Sequence, residues 1–139
     1  MSDVNADTQG IAIEGLAEVV LWVHNMQQSL AFYRDLLGLT VISPPERTNP
    51  MFLRAGAATS TLPALVVLVQ LPVDAPAFSK PQTLHHLALA IAAEGFDAAH
   101  ETLIQAGFTV RTGQHPVLPS RTMYIDDPDG NEVELIVPA

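Results

Sequence analysis

A chain of 139 residues with 48% hydrophobic side chains is long enough to bury a core and short enough to form one domain. Its formal net charge of −9 leaves no concentrated basic face for nucleic-acid phosphates, and the same acidity opposes adsorption to anionic membranes. It has no cysteine, which excludes disulfides and thiolate metal sites and leaves a small molecule as the default partner.

Residues 1–12 read as a flexible, polar leader lacking the basic start and apolar run of a signal peptide. The remainder, 13–139, reads as a single domain. A strand rich in valine and leucine runs over residues 16–23. Asn25 then offers an N-cap oxygen, with Gln28 three residues on as a capping box requires. Leu30, Phe32, Tyr33, Leu36 and Leu37 form the apolar stripe of the helix that follows, and Gly38 stops it. Strands over 39–42, 51–54 and 64–71 complete a first module of about 13–72. A second module, about 82–139, opens with a strand over 84–91. Its helix, over 94–106, carries Phe96, Ala99, Leu103 and Ile104 and ends at Gly107. Strands over 108–111 and 121–126 follow. The turn Asp127-Pro128-Asp129-Gly130 leads into a last strand from 131 or 132 to 137.

Mean hydropathy is high at +0.25, but the apolar runs at 64–69 and 87–93 fall far short of the about 20 residues that span a bilayer. The expectation is a cytoplasmic protein. Its surplus of apolar residues is of the kind that hides in a two-fold homodimer.

The chain repeats itself. Gly38 and Gly107 stand 69 residues apart, and Leu16 and Leu84 stand 68 apart. Residues 37–41, Leu-Gly-Leu-Thr-Val, match residues 106–110, Ala-Gly-Phe-Thr-Val. Each half is a strand, a helix and three strands. The rival architecture is a ferredoxin-like α+β sandwich with no true repeat.

Alternation along the strands places polar atoms on what should be a concave face. Leu87, Leu89 and Ile91 suit the helix side of their strand, while His86, Ala88 and Ala90 face away; Glu18, Val20 and Trp22 do the same in the first half. In the last strand Val133, Leu135 and Val137 face the helices and Glu132, Glu134 and Ile136 face the cavity. Glu18 corresponds to His86, and Val67 to Glu134. Three of those four positions can bind a metal. Two inward carboxylates need a cation or a shared proton, and Glu/His/Glu suits Fe(II), Mn, Ni, Co or Zn. The alternative is two solvated glutamates at strand ends and a histidine making a routine hydrogen bond.

The run of residues 16–39, with Val-His-Asn-Met-Gln-Gln-Ser-Leu-Ala-Phe-Tyr-Arg-Asp-Leu-Leu-Gly-Leu from Val23, resembles the opening strand and helix of the vicinal-oxygen-chelate superfamily. His85-His86-Leu87-Ala88-Leu89 is similar to the opening of that superfamily's second module. Residues 124–135, Tyr-Ile-Asp-Asp-Pro-Asp-Gly-Asn-Glu-Val-Glu-Leu, resemble its closing motif. The resemblance to this glyoxalase, bleomycin-resistance and dioxygenase group runs from Ile13 onward. It implies an α+β fold of two tandem βαβββ modules forming an open, cupped sheet around a divalent metal. It implies Glu18, His86 and Glu134 as ligands, and a metal that acts as Lewis acid on vicinal oxygens of a small substrate. Two departures stand out. Glu18 replaces a common histidine, and Val67 occupies the place of a fourth ligand in glyoxalase I.

Glu134 and Tyr124 are the catalytic candidates on this reading, Tyr124 because ring-cleaving dioxygenases place a tyrosine in a similar sequence. Trp22, Arg121 and Arg54 are candidates for binding substrate, the arginines by bidentate pairing with a carboxylate or phosphate. For each arginine an ordinary surface salt bridge is the competing reading. His85 should point opposite to His86 as a structural residue. His24, His100 and His115 read as surface residues, and Asp127, Asp129 and Gly130 as turn formers. Two functions follow: a metal-dependent enzyme, dioxygenase-like or of the lyase and isomerase kind, or a metal-free protein that binds a bleomycin-type drug or a metabolite.

Overall fold

In the computed structural model, residues 15–56, 62–79 and 84–139 are described, and both halves of the chain fold in the expected order. The leader expected over 1–12 lies outside these residues. The first half is β1 (Glu18–Val23), α1 (Met26–Leu30) continuing as a π-helical segment (Ala31–Leu36), β2 (Thr40–Val41), β3 (Met51–Arg54) and β4 (Leu65–Gln70). The second is β5 (His86–Ala90), a 3-10 turn (Ala93–Gly95), α2 (Phe96–Gln105), β6 (Arg111–Gly113), β7 (Ser120–Asp126) and β8 (Glu132–Pro138).

The strands form two four-stranded sheets, ordered β1-β4-β3-β2 and β5-β8-β7-β6. In each, the first strand runs parallel to the last, and the other pairs are antiparallel. The register repeats as well as the order. Val20 lies opposite Val67 in one sheet, and Ala88 lies opposite Glu134 in the other. Glu18 and His86 are therefore equivalent positions, as are Val67 and Glu134. Two equivalent sheets, each with its own helix, exclude the ferredoxin-like sandwich.

Period-two burial sets the layers. Leu21, Val23, Leu87, Val133, Leu135 and Val137 are buried, whereas Glu18, Val20, Trp22, His86, Ala88 and Ala90 are exposed on the opposite faces. Phe32, Tyr33, Phe96 and Leu103 from the helices join the buried strand residues in one continuous core.

The first helix starts where its cap predicts, with the Asn25 side chain accepting from the Gln28 backbone N–H at 3.0 Å. It does not stay α-helical. Leu37 N–H donates to the Phe32 carbonyl, five residues back, at 2.9 Å. The wider π turn fits a segment whose adjacent residues Phe32 and Tyr33 are both buried. A second departure concerns the strand expected over 108–111, which begins only at Arg111. Phe108 N–H still closes the end of α2 on the Leu103 carbonyl at 3.0 Å, and the Phe108 ring packs beside Phe32.

Polar contacts join the modules around the turn before β8. Asp127 is buried and accepts from its own turn at Asp129 N–H and Asn131 N–H, while its other oxygen accepts from Tyr33 Oη at 2.6 Å. Burial, then the Asp127 charge, push the Tyr33 phenol far up, so it stays a donor. His24 is more than a surface residue. Its Nδ1 lies 2.8 Å from Asp129 Oδ1 and its Nε2 lies 2.9 Å from the Pro76 carbonyl.

Candidate metal and substrate site

The open face of the second sheet carries the polar chemistry. Parallel pairing of β5 with β8 sets His86 beside Glu132 and Ala88 beside Glu134, and antiparallel pairing sets Tyr124 beside Glu134. The small Ala88 leaves room for the ring of His86 to lean across, and its Nε2 lies 3.1 Å from Glu134 Oε1. Glu134 is only 3% exposed, and its Oε2 is buried without a hydrogen-bond partner. An orphaned carboxylate oxygen in a low-dielectric site calls for a cation or a proton. This pair fits the divalent metal that the donor set implies.

Tyr124 stands on the same face, its ring centroid 6.4 Å from that of His86. Gly113, on the neighbouring strand, makes room for it: a β-carbon there would sit 3.2 Å from Tyr124 Cε2. Arg111 bridges Asp126 at 2.9 Å and Glu132 at 3.0 Å and anchors the outer end of this face.

His85 departs from expectation. It lies beside His86, Nδ1 to Nδ1 at 2.8 Å, instead of pointing away. The strand begins only at His86, so strand alternation does not govern its predecessor. His85, His86 and Glu132 offer ligand atoms all within 4.8 Å of one another. Alternation along β8 puts Glu132 on the same face as Glu134, and that spacing of two is its one signal in the sequence.

The remaining candidates are dispersed. Glu18 is exposed at the start of β1 and is not gathered with His86 and Glu134, although its neighbour Val19 lines the same cleft as His86. Val67 is 2% exposed and packs as an apolar residue at the position equivalent to Glu134. Trp22 is 56% exposed and lines a separate hollow of about 800 Å³ with Phe78. Arg121 shares the helix-side face with Met123 and Ile125; it pairs with Asp97 at 3.1 Å and stacks over Phe96 at 4.1 Å. Arg54 lies at the end of β3 in a cleft of about 850 Å³ between the modules, to which His86 also contributes.

Comparison with known proteins agrees with this architecture. The chain matches the Glyoxalase/Bleomycin resistance protein/Dioxygenase superfamily over residues 15–135 and belongs to it. Among solved structures it is similar to a glyoxalase/dioxygenase from Nostoc punctiforme, at TM-score 0.72 and 21% identity over 91% of this chain and 92% of that one. It is also similar to the fosfomycin resistance protein FosX from Listeria monocytogenes, at TM-score 0.65 and 17% identity over 92% and 96% of the two chains. A virulence protein from Salmonella typhimurium aligns at TM-score 0.66 and 20% identity, over 93% of this chain and 100% of that one. At these identities the likeness is one of fold. Among the described residues no helix is long and apolar enough to cross a membrane.

Proposed function

We propose that this protein is a metal-dependent enzyme acting on a small molecule with vicinal oxygens, of the dioxygenase or the lyase and isomerase kind. The observation that carries the proposal is the buried Glu134 carboxylate, with one oxygen 3.1 Å from His86 Nε2 and the other unpartnered. His86 and Glu134 would hold the metal, and Glu18, which stands apart from them within one chain, would supply the third ligand from the second protomer of a homodimer. The metal, one of Fe, Mn, Ni, Co or Zn, supplies Lewis-acid polarisation of the paired substrate oxygens when bound.

The protein's own groups do the rest. Tyr124 donates a hydrogen bond to a substrate oxygen from the strand beside Glu134. The second oxygen of Glu134 takes and returns a proton. Of the two arginines considered for substrate binding, the role falls to Arg54, since Arg121 is engaged by Asp97 and Phe96 on the helix side. The working unit is a homodimer, because Val20 and Trp22 lie 53% and 56% exposed on the open face of β1.

Elemental analysis of protein purified without chelator tests the proposal. Near-stoichiometric divalent metal in the native protein, lost in Glu134→Ala and reduced in Glu18→Gln, is the expected result. No metal in the native protein and none taken up on titration would replace the enzyme with a metal-free binding protein.

A further inference from the structure

Arg54 is set apart from the other described arginines. Among the described residues Arg34, Arg111 and Arg121 each pair with a carboxylate, and Arg47 is exposed with its guanidinium over the Phe52 ring. Arg54 is half-buried, and its Nε is buried with no hydrogen-bond partner. Among the described residues no carboxylate is paired with it. A guanidinium does not deprotonate, so its buried donor cannot be relieved by losing charge. Leaving such a donor unmade costs stability, and an incoming anion recovers that cost on binding.

The surroundings define what kind of anion fits. The cleft of about 850 Å³ is walled mainly by apolar side chains, among them Leu37, Leu39 and Leu65 from the first module and Leu84, Leu89 and Leu103 from the second. A hollow of that size accommodates a drug-sized molecule. A small hydrated anion such as free phosphate would gain nothing from those walls. An apolar body with an anionic end group would use both the walls and Arg54.

We propose that the cleft between the modules binds amphipathic anions, with an alkyl or aryl body against the leucines and a carboxylate or phosphate on Arg54. The inference uses the proposed function only in that His86 lines the same cleft, which makes such an anion the substrate class of that site. Binding itself needs no metal.

The probes are decanoate and decanol, titrated by calorimetry into the full chain in the presence of chelator. Decanoate should bind more tightly than decanol, and Arg54→Met should weaken decanoate by about tenfold or more while leaving decanol unchanged. Arg54→Met keeps an apolar stem and removes the orphaned donor, so its unliganded melting temperature should equal or exceed that of the native protein. An arginine that only supports the fold would lower it. Equal affinity for the two probes, or undiminished decanoate binding by Arg54→Met, overturns the proposal. Decanoate binding that survives in Glu134→Ala, with metal uptake lost, separates this site from the metal centre. Failure of metal uptake in the native protein would leave the Arg54 result standing on its own.

Discussion

His86 engages a different neighbour with each ring nitrogen: Nε2 meets Glu134 at 3.1 Å and Nδ1 meets His85 Nδ1 at 2.8 Å. A neutral imidazole carries one N–H, so the partner at one nitrogen selects what the other can do. With the proton on Nδ1 and donated to His85, Nε2 turns a lone pair towards the cavity, where a cation beside Glu134 would take it. Partners of this kind fix ring orientation and ligand basicity. His85→Ala should therefore weaken metal binding by about tenfold or more with an unchanged far-ultraviolet spectrum, and His85→Asn should restore much of it. Metal titration of the two variants is the check; equal affinities for His85→Ala and the native protein would end this role. His86 and Glu134 were readable in advance from period-two alternation. His85 was not, because a residue just outside a strand has no face that alternation can assign.

At the level of elements, the joint between the modules is built from residues that look unremarkable in sequence. Tyr33 belongs to an apolar helical stripe and Asp127 to a turn, yet they meet at 2.6 Å across 94 positions. The π turn over Ala31–Leu36 accompanies the burial of both Phe32 and Tyr33, which a uniform α-helix would set about 100° apart. His24 closes the same joint. Its hydrogen bond to the Pro76 carbonyl, then that to Asp129, raise its pKa above the ordinary histidine value, with Phe78 packed edge-on at 4.6 Å. A raised folded-state pKa contributes stability that is fully present below the unfolded value, about 6.5, and is lost as pH rises through the folded value. His24→Ala should thus destabilise the protein most on the acid side of neutrality. The difference from native, read by urea unfolding across that range, should shrink towards alkaline pH; a difference that grows instead would refute the linkage.

At the scale of the molecule, Val20, Trp22, Leu16 and Ile42 of the first module are all large apolar residues left exposed. A chain with these residues uncovered is suited to self-association, as the proposed homodimer requires. Light scattering should give twice the 14.9 kDa chain mass, and Trp22→Asp should shift it to one chain with the fold retained. A native protein of one chain mass would remove the homodimer. The order of elements, the two-module repeat and the inward faces of β5 and β8 were determined by the sequence alone, because local periodicity and turn chemistry act over a few residues and leave direct marks. The family followed from the same marks. Tertiary structure alone decided that Arg121 turns to Asp97 while Arg54 meets no carboxylate among the described residues, that His85 sits against His86, and that Tyr33 and His24 fasten the modules together. Those outcomes depend on which side chains meet across long separations, and a partner's distance in space has no local signature in the chain.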